Sequence, residues 1–153
     1  MQYGTGIITD ISSRIKNSGS AILIDTNSNN VTFASAVDST NSGGLTKNGT
    51  GTLTLSGNNT FSGTTTINTG TVEVGAAGRL GGGSYAGNIA NSGTLIYSGS
   101  NAQTLSGIIS GSGALTQNAS STLTLTGNNT YTGATTINAG TIEVGAAGLL
   151  GAG

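Results

Sequence analysis

The chain has 153 residues, room for one ordinary domain, and a formal net charge of −1. Only 6% of residues are charged and 34% are hydrophobic; there are 28 Gly, and no Pro, Cys, His or Trp. This composition excludes a disulfide framework, a thiolate metal site and a nucleophilic triad of the usual His-dependent kind. The basic residues, Arg14, Lys16, Lys47 and Arg79, are scattered, so no phosphate-binding footprint exists and no nucleic-acid partner is expected. No apolar run approaches the length of a transmembrane helix, and no membrane insertion is expected. Low hydrophobicity with high net charge would signal disorder, but the charge half of that signature is missing, and Thr, Asn and Gly favour strands and tight turns.

In chain order, Met1 is followed by Gln2-Tyr3-Gly4 rather than by a basic stretch and an apolar core, so no signal peptide is read there. Ile8, Ile11 and Ile15 have near-helical spacing with Thr9 or Asp10 placed as an N-cap, but an irregular first coil is the preferred reading of residues 1–16. Residues 17–45 then echo residues 91–115 loosely, with four extra residues expected in a turn near Asp38 to Ser42.

The main signal comes next. Residues 44–83 recur as 114–153, an offset of 70 without a gap, with 27 of 40 positions identical. Within each copy, Thr52-Leu53-Thr54-Leu55 and Thr71-Val72-Glu73-Val74, and likewise Thr122-Leu123-Thr124-Leu125 and Thr141-Ile142-Glu143-Val144, alternate with the period of a half-buried strand. Thr64-Thr65-Thr66-Ile67 is a third short strand, and Gly/Asn clusters such as Ser56-Gly57-Asn58-Asn59 supply the turns. Leu53 to Val72 and Leu55 to Val74 are both 19 residues apart. Three short strands per roughly 20 residues describe one coil of a parallel β-helix, each strand pairing with its counterpart in the next coil about 4.8 Å away. The 70-residue period then reads as roughly three coils.

This reading places Leu53, Leu55, Ile67, Val72 and Val74 inside, with Leu123, Leu125, Ile137, Ile142 and Val144 as their counterparts. Outward Thr52, Thr54 and Thr71 are expected to form threonine ladders. Asn58-Asn59 and Asn128-Asn129 are expected to form asparagine ladders along the axis. The whole chain, 1–153, is one β-helix segment, and because the second copy stops at Gly153 where another rung is expected, the sequence reads as a piece of a longer chain.

Residues 49–75, GTGTLTLSGNNTFSGTTTINTGTVEVG, closely resemble the passenger-associated transport repeat of bacterial autotransporters, also called the autotransporter-associated β-strand repeat, and STLTLTGNNTYTGATTINAGTIEVG, 121–145, resembles it again. Ile108 to Thr116 and Gly44 to Lys47 resemble its lead-in. The resemblance implies an all-β, right-handed parallel β-helix acting as a stalk in a secreted cell-surface passenger, with the repeat assisting export. It brings no catalytic residue. Departures are the missing translocator barrel and Ala119-Ser120-Ser121 in place of Gly49-Thr50-Gly51, which tightens the demands on that turn.

Candidate chemistry is thin. Glu73 and Glu143, placed about three coils apart, are too distant for a glycosidase pair, which needs roughly 5–10 Å. Asp25 with Arg14 or Lys16 is the one arrangement that imitates a lyase cleft; Asp10 and Asp38 belong to other turns. Gly81-Gly82-Gly83 lacks the Lys-Ser/Thr of a phosphate loop. The aromatics are expected to fill corners rather than stack sugars. No catalytic, cofactor-binding or metal-ligating residue is assigned, and no cofactor is expected. The leading expectation is a structural, adhesin-type stalk on the bacterial surface. The alternatives are a self-assembling extracellular fibre subunit, stacked end to end, and a polysaccharide-active β-helix enzyme. The partners expected are the rest of a longer parent chain or further copies of this one, with a host or glycan ligand unspecified.

Overall fold

The computed structural model describes residues 1–4, 6 and 9–152. The backbone winds through six turns of a parallel β-solenoid with three faces. The first face stacks Ile22–Asp25, Leu45–Asn48, Thr65–Ile67, Ile89–Asn91 and Ile109–Ser110. The second stacks Val31–Phe33, Thr52–Leu55, Thr71–Val74, Thr94–Tyr97, Ala114–Gln117 and Thr135–Ile137. Among the described residues the third has strands only in the later coils: Ser84–Tyr85, Gln103–Leu105, Thr122–Leu125 and Thr141–Val144. Every pairing is parallel. Coil length varies with the corner, from 19 residues between Leu53 and Val72 to 24 between Thr65 and Ile89.

Alternation decides what points inward. On the second face one inner column runs Val31, Leu53, Val72, Leu95, Leu115, and its neighbour runs Phe33, Leu55, Val74, Tyr97. All are at most 2% exposed, each contributing roughly 1.5–3 kcal/mol once stacked. The outward Thr52, Thr71 and Thr94 are in register as a threonine ladder; Thr54 lies between Thr32 and Glu73.

Glycine columns mark the corners. A Cβ on Gly87, Gly107 or Gly127 would lie 1.9, 2.2 or 2.4 Å from the carbonyl oxygen of the glycine one coil earlier, Gly63, Gly87 or Gly107. At the next corner Gly93, Gly113 and Gly133 lie as tightly against Gly70, Gly93 and Gly113, at 2.3, 2.4 and 2.3 Å. The side chain is absent because the adjacent coil's backbone fills its space.

The two copies do not stack in register, which corrects the estimate of three coils per period. Leu45 pairs with Thr65, Thr65 with Ile89 and Ile89 with Ile109; Leu115, the counterpart of Leu45, lies six residues further on, on the second face. Similarly Leu53 and Val72 pair on the second face, and Leu123 and Ile142 on the third. Seventy residues therefore make three and one-third turns, and Gly63 and its counterpart Gly133 serve different corners.

The N-terminal end is closed. Tyr3 donates its N–H to Asp25 O at 2.7 Å, and Asp25 donates to Met1 O at 2.7 Å. Ser12–Arg14 form a single 3-10 turn rather than an α-helix. The Asp10 carboxylate accepts from Ser12 N at 2.8 Å and from Ala34 N at 3.0 Å, tying this turn to the first full coil. Ile11 and Ile15 pack against the core, whereas Ile8 lies outside the described residues. The expected turn near Asp38 is closed by Asn41 N–H to Asp38 O at 3.1 Å.

Candidate functional site: the polar interior and the open coil

The acidic residues do not converge. Glu73 lies on the second face beside Thr54 and Ile96, and Glu143 lies on the third beside Thr124, so the two are not stacked on one face as equivalent positions. Asp25 uses Oδ1 to accept from Asn27 N at 2.8 Å. Lys16 pairs instead with Asp38, the one ion pair among the described residues. That hydrogen bond, helped by Thr40, holds the Asp38 carboxyl down at about 2. Neither Arg14 nor Lys16 forms an ion pair with Asp25 among the described residues, so the lyase-like grouping is not assembled. Among the described residues no three Asp, Glu, His or Cys gather as a metal site. Tyr3, Phe33, Phe61, Tyr85, Tyr97 and Tyr131 are all at most 3% exposed and offer no sugar platform. Gly81–Gly83 form a short turn with positive φ at each glycine.

Polar chemistry is concentrated inside the coil, at the corners. Asn59 accepts from Val37 N in the preceding coil at 3.0 Å. Its amide donates to Gly57 O in its own coil at 2.7 Å and to Arg79 O in the next at 3.1 Å. Asn129 repeats this with Ile109 N at 2.9 Å, Gly127 O at 3.0 Å and Leu149 O at 2.7 Å. These asparagines do not form the expected ladder with each other, because the one-third turn places them at different corners. Each is a staple through three coils. The amide ladders lie elsewhere, with Asn68 Nδ2 donating to Asn48 Oδ1 at 2.8 Å and Asn138 Nδ2 to Asn118 Oδ1 at 3.3 Å.

Lys47 is the least expected interior residue. It follows Leu45 by two on the same strand, faces inward between Ile24 and Ile67, and is fully buried. Its ammonium donates to Asn48 O at 3.0 Å, Gly49 O at 2.7 Å and Thr69 O at 3.3 Å. Burial pulls the amine down to about 8, against an opposing pull from Asp25. Its counterpart Gln117 donates to Ala119 O at 3.1 Å and Ser121 O at 2.7 Å, leaving its buried Oε1 without a partner. The signal was present in sequence as a Lys/Gln pair at a position whose neighbours i−2 are leucines. The turns differ too: Gly49 has φ +81°, whereas Ala119 is absent from the positive-φ residues.

The last coil is open. Ile137, Val144 and Leu150 are 53, 43 and 44% exposed, although the first two pair in register with inner-column Gln117 and Leu125. Ile142 is half-buried. The expectation that Ile137, Ile142 and Val144 are buried is therefore corrected. They point along the inner columns, but no following coil covers them among the described residues.

One local pattern thus appears twice, one face apart: a strand ending in an inward polar residue, a corner built on Gly49-Thr50-Gly51 in one copy and Ala119-Ser120-Ser121 in the other, a second strand, then a stapling Asn. The model of the passenger-associated transport repeat matches at 45–74 and 115–144, just over these elements. The chain contains two passenger-associated transport repeats. No curated protein and no solved structure matches it. In each repeat the inner leucines, the Lys47 or Gln117 position and the staple Asn59 or Asn129 are scaffold parts, and what they accomplish is adhesion between successive coils.

Proposed function

We propose that this chain is a non-catalytic stalk segment of a secreted bacterial surface protein of the autotransporter type, with its repeats assisting export and the solenoid holding other regions away from the cell. The observation that supports it is the pair of passenger-associated transport repeats built into one continuous hydrophobic column. Six coils joined by parallel ladders and by side chains such as Asn59 make a stiff rod, and its surface, with few charges and many hydroxyls, suits a spacer better than a reaction site. The location that follows is extracellular or at the cell surface.

The test places the chain between a secretion leader and an outer-membrane translocator barrel. Intact cells are then treated with protease. The expected result is surface-exposed chain, and a several-fold loss of surface material when residues 115–144 are removed. Equal display with and without that repeat would defeat the export role. An adhesin role is read separately, by binding of displaying cells to host or glycan surfaces.

A further inference from the structure

Asn48-Gly49 is the one Asn-Gly pair in the chain. Asn48 ends the strand Leu45–Asn48 and Gly49 opens the corner of the first repeat; both are half-buried, so water reaches them. An asparagine can cyclise onto the backbone nitrogen of the residue that follows it. The side chain of that next residue is the usual obstacle, and glycine has none. Negative charge develops at two places on the way: on the peptide group that gives up its N–H proton, and on the side-chain oxygen of the carbon under attack.

The fold sets donors at both places. The peptide group that joins 48 to 49 carries Asn48 O. That oxygen accepts from Lys47 Nζ at 3.0 Å, from Thr26 N at 3.0 Å and from Thr26 Oγ1 at 3.2 Å. Burial pulls the Lys47 amine down to about 8, so near neutrality it is still an ammonium. The side-chain oxygen, Asn48 Oδ1, accepts from Asn68 Nδ2 at 2.8 Å. Donors aimed in advance at developing charge lower the barrier to its formation. The Gly49 N–H donates to no acceptor among the described residues, so no hydrogen bond has to break before it reacts.

The second repeat lacks this assembly. Its pair is Asn118-Ala119, with a Cβ on the second residue. Gln117 stands where Lys47 does, and it donates to Ala119 O and Ser121 O rather than to Asn118 O. Asn138 Nδ2 reaches Asn118 Oδ1 only at 3.3 Å.

We propose that Asn48-Gly49 is a self-modification site, at which the folded chain converts Asn48 to aspartate and isoaspartate while Asn118 persists. The Gly49 N–H gives its proton to a solvent base, and the nitrogen bonds to Asn48 Cγ. The bond from Cγ to Nδ2 breaks, and Nδ2 takes up a proton and leaves as ammonia. Water then adds to one carbonyl of the five-membered imide and opens it, giving aspartate or isoaspartate. No electrons are exchanged with any other group. The new carboxylate lies across the ladder from Asp25, a like charge. Isoaspartate also adds one backbone carbon just before Gly49, whose carbonyl holds Lys47 Nζ at 2.7 Å. The first repeat is therefore the one that ages.

The experiment incubates the full chain in heavy-oxygen water, folded in buffer and unfolded in urea, and reads both asparagines by peptide mass spectrometry. The labelled carboxyl at position 48 is expected to appear at least tenfold faster in the folded chain than in urea, with ammonia released in equal amount. In the folded chain Asn118 reacts at least tenfold more slowly than Asn48. Lys47→Gln, the residue of the second repeat, is expected to lower the folded rate at least fivefold and to leave the urea rate unchanged, which separates local chemistry from general loosening. Asn68→Ala, at an exposed side chain, also lowers the folded rate, and it carries the test should Lys47→Gln not fold. A folded rate no higher than the urea rate overturns the proposal. So does a folded variant of either kind that keeps the parent rate, or an Asn118 that converts as fast as Asn48.

Discussion

The two repeats are nearly one sequence in two environments. Ile67, Val74 and Leu80 are sealed; Ile137, Val144 and Leu150, their counterparts 70 residues on, are open. The difference teaches that burial here belongs to the stack and not to the coil. A single coil has a row of apolar side chains but no interior, and its hydrophobic stabilisation is realised only when another coil closes over it. The stability of such a rod is therefore expected to fall off toward an uncovered end.

Matched substitutions break that comparison most strongly. Val74→Asp buries an unpaired charge between Leu55 and Tyr97 and is expected to abolish cooperative unfolding of the middle coils, whereas Val144→Asp costs less than about 1 kcal/mol in urea titration. Ile67→Ala is expected to cost about 2–5 kcal/mol, with Ile137→Ala well below that. Equal effects within either pair would mean that the open end is covered in solution.

The corners give the next largest effect, and here the repeats differ in sequence. Position 49 is Gly with φ +81°, and a Cβ there would lie 2.3 Å from Asn27 N; the second repeat has Ala119 at this position without positive φ. Gly49→Ala is expected to lose about 1–3 kcal/mol by urea titration although the second repeat carries alanine naturally. If the variant is as stable as the parent, the first turn is free to take the path of the second, and the two corners are equivalent after all.

Much of the architecture was legible because a strand's period of two is a local property. Thr52-Leu53-Thr54-Leu55 states which side chains go in, and the Gly/Asn clusters state where the chain bends. The winding number was not legible. It depends on how many residues each corner consumes, and corners ranging from the 19-residue coil at Leu53 to the 24-residue coil at Thr65 leave the alternation of the strands unchanged. For the same reason the ladder expected at Asn58-Asn59 was misplaced, since ladders need residues one coil apart and these copies are three and one-third turns apart. The staple role of Asn59 has a weak signal at best, an Asn inside a Gly-flanked turn. Inward Lys47 was missed because a lysine is read as surface by default, although its spacing from Leu45 placed it inside.

The smallest effect concerns that lysine and sharpens the one chemical difference between the repeats. Unfolded, the amine titrates at its usual 10.5; folded, burial lowers it to about 8. Between these values the unfolded chain holds a proton that the folded chain has released, so stability rises with pH across this window and is lost again as pH falls through 8. The buried tyrosines act oppositely. Burial raises the pKa of Tyr85 and Tyr97 above 10, so the folded chain keeps their protons and loses stability once the unfolded ones ionise. The lysine limb is thus clear of them between about pH 8 and 10. Lys47→Gln installs the residue of the second repeat and is expected to flatten that limb without changing the profile below pH 7, read as urea midpoints across the pH series. A limb that persists in Lys47→Gln would assign the titration to another group and leave the ammonium fully charged in its three-carbonyl cradle.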